Sequence, residues 1–192
     1  MTTLTRILLA SFLLTTFALS GCATLTSDIT VETETYPDVD FSRYKTYAWL
    51  GGGEIVYDPI GQWEQPTLDT DEEVRFLVNR ELRKHGLTPV TQNPDLFIAY
   101  AAGVDMTALE LKENPETRRH ALTNVPKAAL LVAMVDARSG YLVWLGYATG
   151  NVQKQQSIDN IRKRIDYAVT QIFRSFDTSP PAKEETEEDS KE

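Results

Sequence analysis

Few residues in this chain have the type and spacing to do chemistry. His85 and His120 are the only histidines. An imidazole becomes a general base or a metal ligand when a second donor stands at ligand spacing, and none does here. His85 closes a helical pattern, where the helix dipole favours a cation, and His120 follows Arg118 and Arg119, so both read as surface residues. Two carboxylate pairs, Asp38 with Asp40 and Glu32 with Glu34, have the form of an acid–base couple. The first sits in turn-forming sequence and the second on one side of an alternating strand, which explains both without catalysis. Gly51-Gly52-Gly53 is followed by neither a helix nor the Lys-Ser/Thr that closes a phosphate loop. No serine stands in a Gly-x-Ser-x-Gly elbow. Arg162-Lys163-Arg164 reads as the wet face of a helix. The expectation is a protein that is not an enzyme and holds no cofactor and no metal.

Six aromatics remain as a candidate binding set: Tyr47, Trp49, Tyr100, Tyr141, Trp144 and Tyr147. Tyr47 and Trp49 share one strand face, and Tyr141 and Tyr147 another, with Trp144 opposite. Aromatics on strands ordinarily form core and cross-strand packing. The other reading is an open face that binds a small amphiphile or a peptidoglycan fragment.

The clearest local signal is Leu19-Ser20-Gly21-Cys22. A short n-region with Arg6 precedes a thirteen-residue apolar run, Ile7 to Leu19. That suits an export signal and falls short of the about 20 residues a spanning helix needs. The four residues that end it fit the bacterial lipobox, in which the cysteine takes a thioether-linked diacylglycerol before the leader is cut off. Cys22 is the only cysteine, so it has no intramolecular disulfide partner, and acylation accounts for it. One acyl chain holds a protein only marginally, whereas two or three make residence effectively permanent. Ala23, rather than Asp, follows the cysteine. The expected address is therefore the outer membrane, lipid-anchored through Cys22 and facing the periplasm.

Loss of Arg6 with the leader leaves 18 basic against 28 acidic residues, a net charge of −10. An acidic chain repels phosphate backbones, which excludes nucleic acid as the expected partner. Lys183 to Glu192 holds six acidic residues and two lysines. With Ser-Pro-Pro before it, that run cannot bury enough apolar area to offset ordering entropy.

Hydrophobic spacing gives the elements. Asp28 to Thr35 alternates as a half-exposed strand, Lys45 to Leu50 is a second, and Gly51 opens a loop to Asp69. Thr70 with Glu73 forms a capping box. Val74, Leu77, Val78 and Leu82 then make one helical stripe, and Gly86 suits a left-handed cap. Leu87 to Thr91 is a short strand. Asp95 to Ala102 and Lys127 to Val135 are apolar on both faces and therefore central. Asp136 to Gly140 is a hairpin turn into a strand over 141–149, and no element is assigned to 104–125. A last helix spans about Ser157 to Phe176, with Ile158, Ile161, Ile165, Val169, Ile172 and Phe173 on its stripe. The order β-β-α-β-β-β-α implies an α+β fold, a mainly antiparallel sheet of about five strands with both helices on one face. The domain plan is a leader at 1–21, a tether at 22–27, one domain at 28–177 and a disordered acidic tail at 178–192.

Three stretches carry a resemblance. They are Asp40 to Trp49 (DFSRYKTYAW), Pro94 to Tyr100 (PDLFIAY) and Val135 to Gly146 (VDARSGYLVWLG). In this order behind a lipobox, the chain resembles the bacterial envelope lipoproteins grouped as domain of unknown function 4136, over residues 28–177. It departs from them in the charged 104–127 stretch, where many members are rich in Gly and aromatics, and at Leu145, where a basic residue is common. The resemblance implies an envelope lipoprotein of this fold and supplies no catalytic residue. The expected role is a structural or adaptor module beside an envelope protein partner.

Overall fold

The structure is a computed structural model, which describes residues 25–113, 118, 120–153 and 156–178. The expected leader, Cys22 and the tail from residue 179 lie outside the described residues. The elements in chain order are β1 (Thr30–Thr35), a 3-10 turn (Phe41–Arg43), β2 (Thr46–Tyr57), α1 (Thr70–Lys84), β3 (Thr88–Pro89) and β4 (Leu96–Asp105). They continue as β5 (Leu109–Glu113), β6 (His120–Asn124), β7 (Lys127–Asp136), β8 (Leu142–Asn151) and α2 (Ile158–Phe173).

The fold is α+β, but its main sheet is mixed and has six strands, in the order β1-β8-β7-β4-β2-β3. The pairs β1–β8, β8–β7 and β7–β4 are antiparallel, as expected. Strands β4 and β3 instead pair in parallel with β2. The physical reason is α1. A helix between two neighbouring strands carries the chain back to its starting end, so the next strand runs the same way. The second departure is β2, which runs through the glycines that were expected to open a loop. A bulge between Trp49 and Gly51 keeps it paired with β4 as far as Tyr57. Gly52 is required there, because a Cβ would stand 1.8 Å from Cε1 of Tyr100. The unassigned 104–125 stretch supplies the end of β4 and a separate two-stranded hairpin, β5–β6.

Both helices begin on a side-chain cap. Asp69, rather than Thr70, accepts from the Glu72 N–H at 3.0 Å, and Ser157 accepts from the Asn160 N–H at 3.2 Å. Glu73 is free of the expected capping box and meets Arg162 at 3.2 Å. Glu81 is buried between Arg80 and Lys84. Gly86, at φ +80°, ends α1, and Leu87 N–H donates back to the Leu82 carbonyl.

Both helices lie on one face of the sheet and touch each other through Arg80 and Thr170. Beneath them is one core that includes Tyr47, Val78, Leu82, Leu96, Ile98, Met134, Trp144 and Ile172. Full burial of such side chains contributes about 1.5–3 kcal/mol each. Gly146 lets α2 approach β8, since a Cβ there would stand 2.5 Å from Cγ2 of Ile172. The central strands β4 and β7 are apolar on both faces, yet the helices cover only one of them.

Candidate functional site

Four of the six aromatics go under the helices. Tyr47 donates to Oδ1 of Asn79 at 2.7 Å, and the indole of Trp49 donates to the same oxygen at 3.0 Å. The Arg75 guanidinium stacks 4.7 Å from the Trp49 ring, and Tyr100 meets that ring edge-on at 6.2 Å. Tyr100 donates to Asp71 at 2.6 Å. Burial first, and then this carboxylate, push the Tyr100 phenol far up, so it remains a hydrogen-bond donor at neutral pH. Trp144 packs 5.3 Å from both Phe173 and Phe176. These four rings belong to the sheet–helix interface. The other two stand apart from them. Tyr141 is 74% exposed at the β7–β8 turn, and Tyr147 reaches from β8 to Glu32 at 2.5 Å on the opposite face.

The carboxylates that the fold uses most were not visible as sites in the sequence. Oδ1 of Asp136 accepts from the backbone N–H groups of Arg138 and Ser139 and from the Ser139 hydroxyl. Its Oδ2 accepts from Tyr44 at 2.8 Å and Arg43 at 3.2 Å. The Ser139 amide is the largest influence on its pKa. Burial opposes it, but with the Tyr44 phenol the bonds win, and the carboxyl lies at about 2. Asp95 works similarly: its Oδ2 accepts from the N–H groups of Lys45 and Thr46 and from the Thr46 hydroxyl. Ala137 N–H closes the set by donating to the Asp95 carbonyl. The three sequence stretches quoted above thus meet at one end of the sheet, tied by two carboxylates that lock turns.

Asp136→Asn is therefore expected to lower stability by about 2 kcal/mol at neutral pH, from the lowered pKa. A carboxylate with a depressed folded pKa stabilises above its unfolded value of 3.8. That stabilisation is lost as pH falls towards about 2, so the gap between the two proteins should roughly halve by about pH 3. Urea midpoints at the two pH values check this, and a pH-independent gap contradicts it.

Arg164 corrects the expectation of a wet Arg162-Lys163-Arg164 face. Its side chain is only 11% exposed and clasps Asp28 with two bonds of 2.7 Å. It also donates to the Leu25 carbonyl. Asp28 in turn accepts from the Asn151 N–H at 2.7 Å. The entering chain is thereby fixed to the end of the sheet where β1 begins and β8 ends.

On the face away from the helices, β4 presents Phe97, Ala99 and Ala101, and β7 presents Leu131, Ala133 and Val135. All are half-buried by their neighbours, and among the described residues no helix covers them. Leu145 and Tyr147 extend this face towards Glu32 and Glu34 on β1. A groove of about 460 Å³ lies elsewhere, between β1 and α2, with Ile29, Val31, Tyr167 and Arg174 in its walls. His85 packs against Phe176 and His120 stands exposed on β6, so the histidines are not brought together. Among the described residues no three His, Cys, Asp or Glu side chains cluster to hold a metal. Among them, too, no helix is long and apolar enough to cross a membrane.

The family model described as Domain of unknown function (DUF4136) matches residues 31–177. The chain belongs to this family. A search of curated proteins found no match. A solved DUF4136 family protein from Bacteroides thetaiotaomicron is 18% identical, with a TM-score of 0.48 over 76% of this chain and 94% of that one. The PelC dodecamer of Paraburkholderia phytofirmans is 13% identical, with a TM-score of 0.43 over 75% and 94%. A minor lipoprotein from Acinetobacter baumannii is 15% identical, with a TM-score of 0.33 over 68% and 91%. At these identities and TM-scores the likenesses carry no functional argument. Family membership extends over the whole described domain except its first six residues, Leu25 to Thr30, and Thr178, its last.

Proposed function

We propose that this DUF4136 protein is a non-enzymatic adaptor of the bacterial cell envelope, held by lipid on Cys22 at the outer membrane and facing the periplasm. The observation that carries the reading is the helix-free face of the main sheet. It is a broad apolar surface of Ala, Leu, Val and Phe at the centre, with Glu32 and Glu34 along one side. Apolar surface at the centre with a polar rim is the anatomy of a protein-docking patch. The polar side chains with strongly shifted protonation, Asp136 and Tyr100, are bonded to turns and helices. They hold the scaffold rather than face a substrate. The alternative of a ligand on an aromatic sheet face has less support, because Tyr47, Trp49, Tyr100 and Trp144 pack beneath α1 and α2.

The anchor has its own test. Cys22→Ala is expected to accumulate as unprocessed precursor and to incorporate no labelled palmitate, a loss of essentially all signal. Equal labelling of mutant and wild type contradicts the lipid anchor. The adaptor role is tested by comparing tethered and untethered forms in a deletion strain, as set out below.

A further inference from the structure

The start of the described chain and an exposed apolar element lie at the same end of the sheet. The pairing register fixes this: Thr30 stands beside Thr149, Asn151 beside Lys127, Lys127 beside Asp105, and Asp105 beside Tyr57. The start of β1, where Arg164 holds Leu25 and Asp28, is therefore level with the ends of β2 and β4 and the start of β7. From that same end the β5–β6 hairpin departs. The turn over 136–141, and Thr178 beside the His85 carbonyl, belong to the opposite end.

The hairpin is amphipathic, and its apolar side is bare. Leu111 pairs directly with Leu122, and Leu109 is two residues from Leu111, so the three share one side. They are 60%, 65% and 68% exposed for Leu109, Leu111 and Leu122. Ile55 and Tyr57, towards the end of β2, are exposed as well. A two-stranded hairpin with its apolar side in water is marginal by itself, so this side calls for a cover. Among the described residues the charges around it are paired: Glu110 with Lys127 and Lys112, and Glu113 with Arg118.

Tether length identifies the cover. Two residues, Ala23 and Thr24, separate Leu25 from Cys22, so three chain steps give a reach of at most about 10 Å. Strands of five residues extend about 17 Å. A domain clasped at Leu25 and held by acyl chains on Cys22 keeps the end from which this arm departs within about 10 Å of the bilayer, less than the arm's own length. The geometry points to the β5–β6 hairpin as a second membrane contact, its Leu109, Leu111 and Leu122 side seated in the lipid interface beside the anchor. The inference rests on the reading of Cys22 as acylated. Apolar burial drives the contact rather than attraction to anionic headgroups, because Asp58 and Asp69 stand at the same end and the arm's own charges cancel. With anchor and arm both engaged, the strands run away from the membrane and the helix-free face is presented sideways to the periplasm.

The test uses the full lipidated chain in vesicles of phosphatidylethanolamine with a minor share of phosphatidylglycerol. A bimane probe is placed at Leu122→Cys or, as a control on the far end, at Tyr141→Cys, and the lipids carry a nitroxide near the top of the acyl chain. Both residues are exposed, so neither change disturbs the core; Leu109→Cys serves as a second arm position. Seating of the arm predicts at least about twofold quenching at Leu122 or Leu109, none at Tyr141, and loss of the effect when Leu111→Glu is added. Flotation of the vesicles reads the anchor separately. Protein that floats without quenching at either arm position overturns the arm and leaves the anchor standing, and protein that does not float overturns both. Energy transfer between arm probes on different copies, without lipid quenching, means that a second copy covers the leucines and also overturns the proposal.

Discussion

Trp144→Ala is expected to lower the free energy of unfolding by about 3 kcal/mol, whereas Tyr141→Ala should stay within about 0.5 kcal/mol. Only three positions separate the two residues, and both belong to the aromatic set that the sequence offered as a binding face. Their surroundings differ completely. Trp144 is 1% exposed and lies between Phe173 and Phe176, above the space left by Gly146. Large-to-small changes at such sites cost about 3–5 kcal/mol through lost transfer energy and the cavity left behind. The indole N–H of Trp144 has no acceptor among the described residues. Its removal recovers part of the loss, which sets the expectation at the lower end of that range. Tyr141 is in water at the turn and touches little. Urea midpoints followed by circular dichroism separate the two cases. Equal midpoints for both variants would show that Trp144 is not part of the core and would return the aromatics to the status of a binding set.

Much of the fold was legible because it rests on local periodicity. The stripe of α2, the apolar run of β4 and the positive φ of Gly86 and Gly140 follow from residue type and spacing. What was missed depends on partners far away in sequence. Gly51 to Gly53 read as a loop because glycine weakens strands; only Tyr100, on the neighbouring strand, shows why Gly52 belongs in one. The parallel pairing of β2 with β4 is a property of the crossover and leaves no mark on either strand alone. Arg164 looked like one of three solvated cations until Asp28, far away in the chain, closed on it. For β5 and β6 the apolar residues alternate correctly, but Pro115 and the mixed charges between them hide the signal. Among the candidate site residues, Tyr47 and Trp49 were rightly placed on one strand face. Their burial was not legible, because it depends on where α1 lies.

The largest expected biological effect concerns the tether. An adaptor works by being held at one surface, where the anchor sets its effective concentration against membrane-bound partners. A diffusible enzyme or carrier keeps its activity when released. The structure specifies how the soluble form should be built. It must begin at Ala23 rather than Asp28, because Arg164 holds the Leu25 carbonyl as well as the Asp28 carboxylate. Such a protein, exported behind a cleavable non-lipid signal, keeps every described contact and should show the wild-type urea midpoint. Its helix-free face is intact, but nothing presents it at the membrane.

The measurement that bears most directly on the adaptor reading is complementation of a deletion strain by three forms at matched levels. These are the wild type, the soluble form, and the soluble form re-anchored behind an unrelated lipobox signal. The prediction is that the wild type and the re-anchored form restore the envelope phenotype and the soluble form does not, although circular dichroism shows it folded. Full rescue by the folded soluble form would contradict the adaptor account and move the function to a diffusible binding protein or an enzyme.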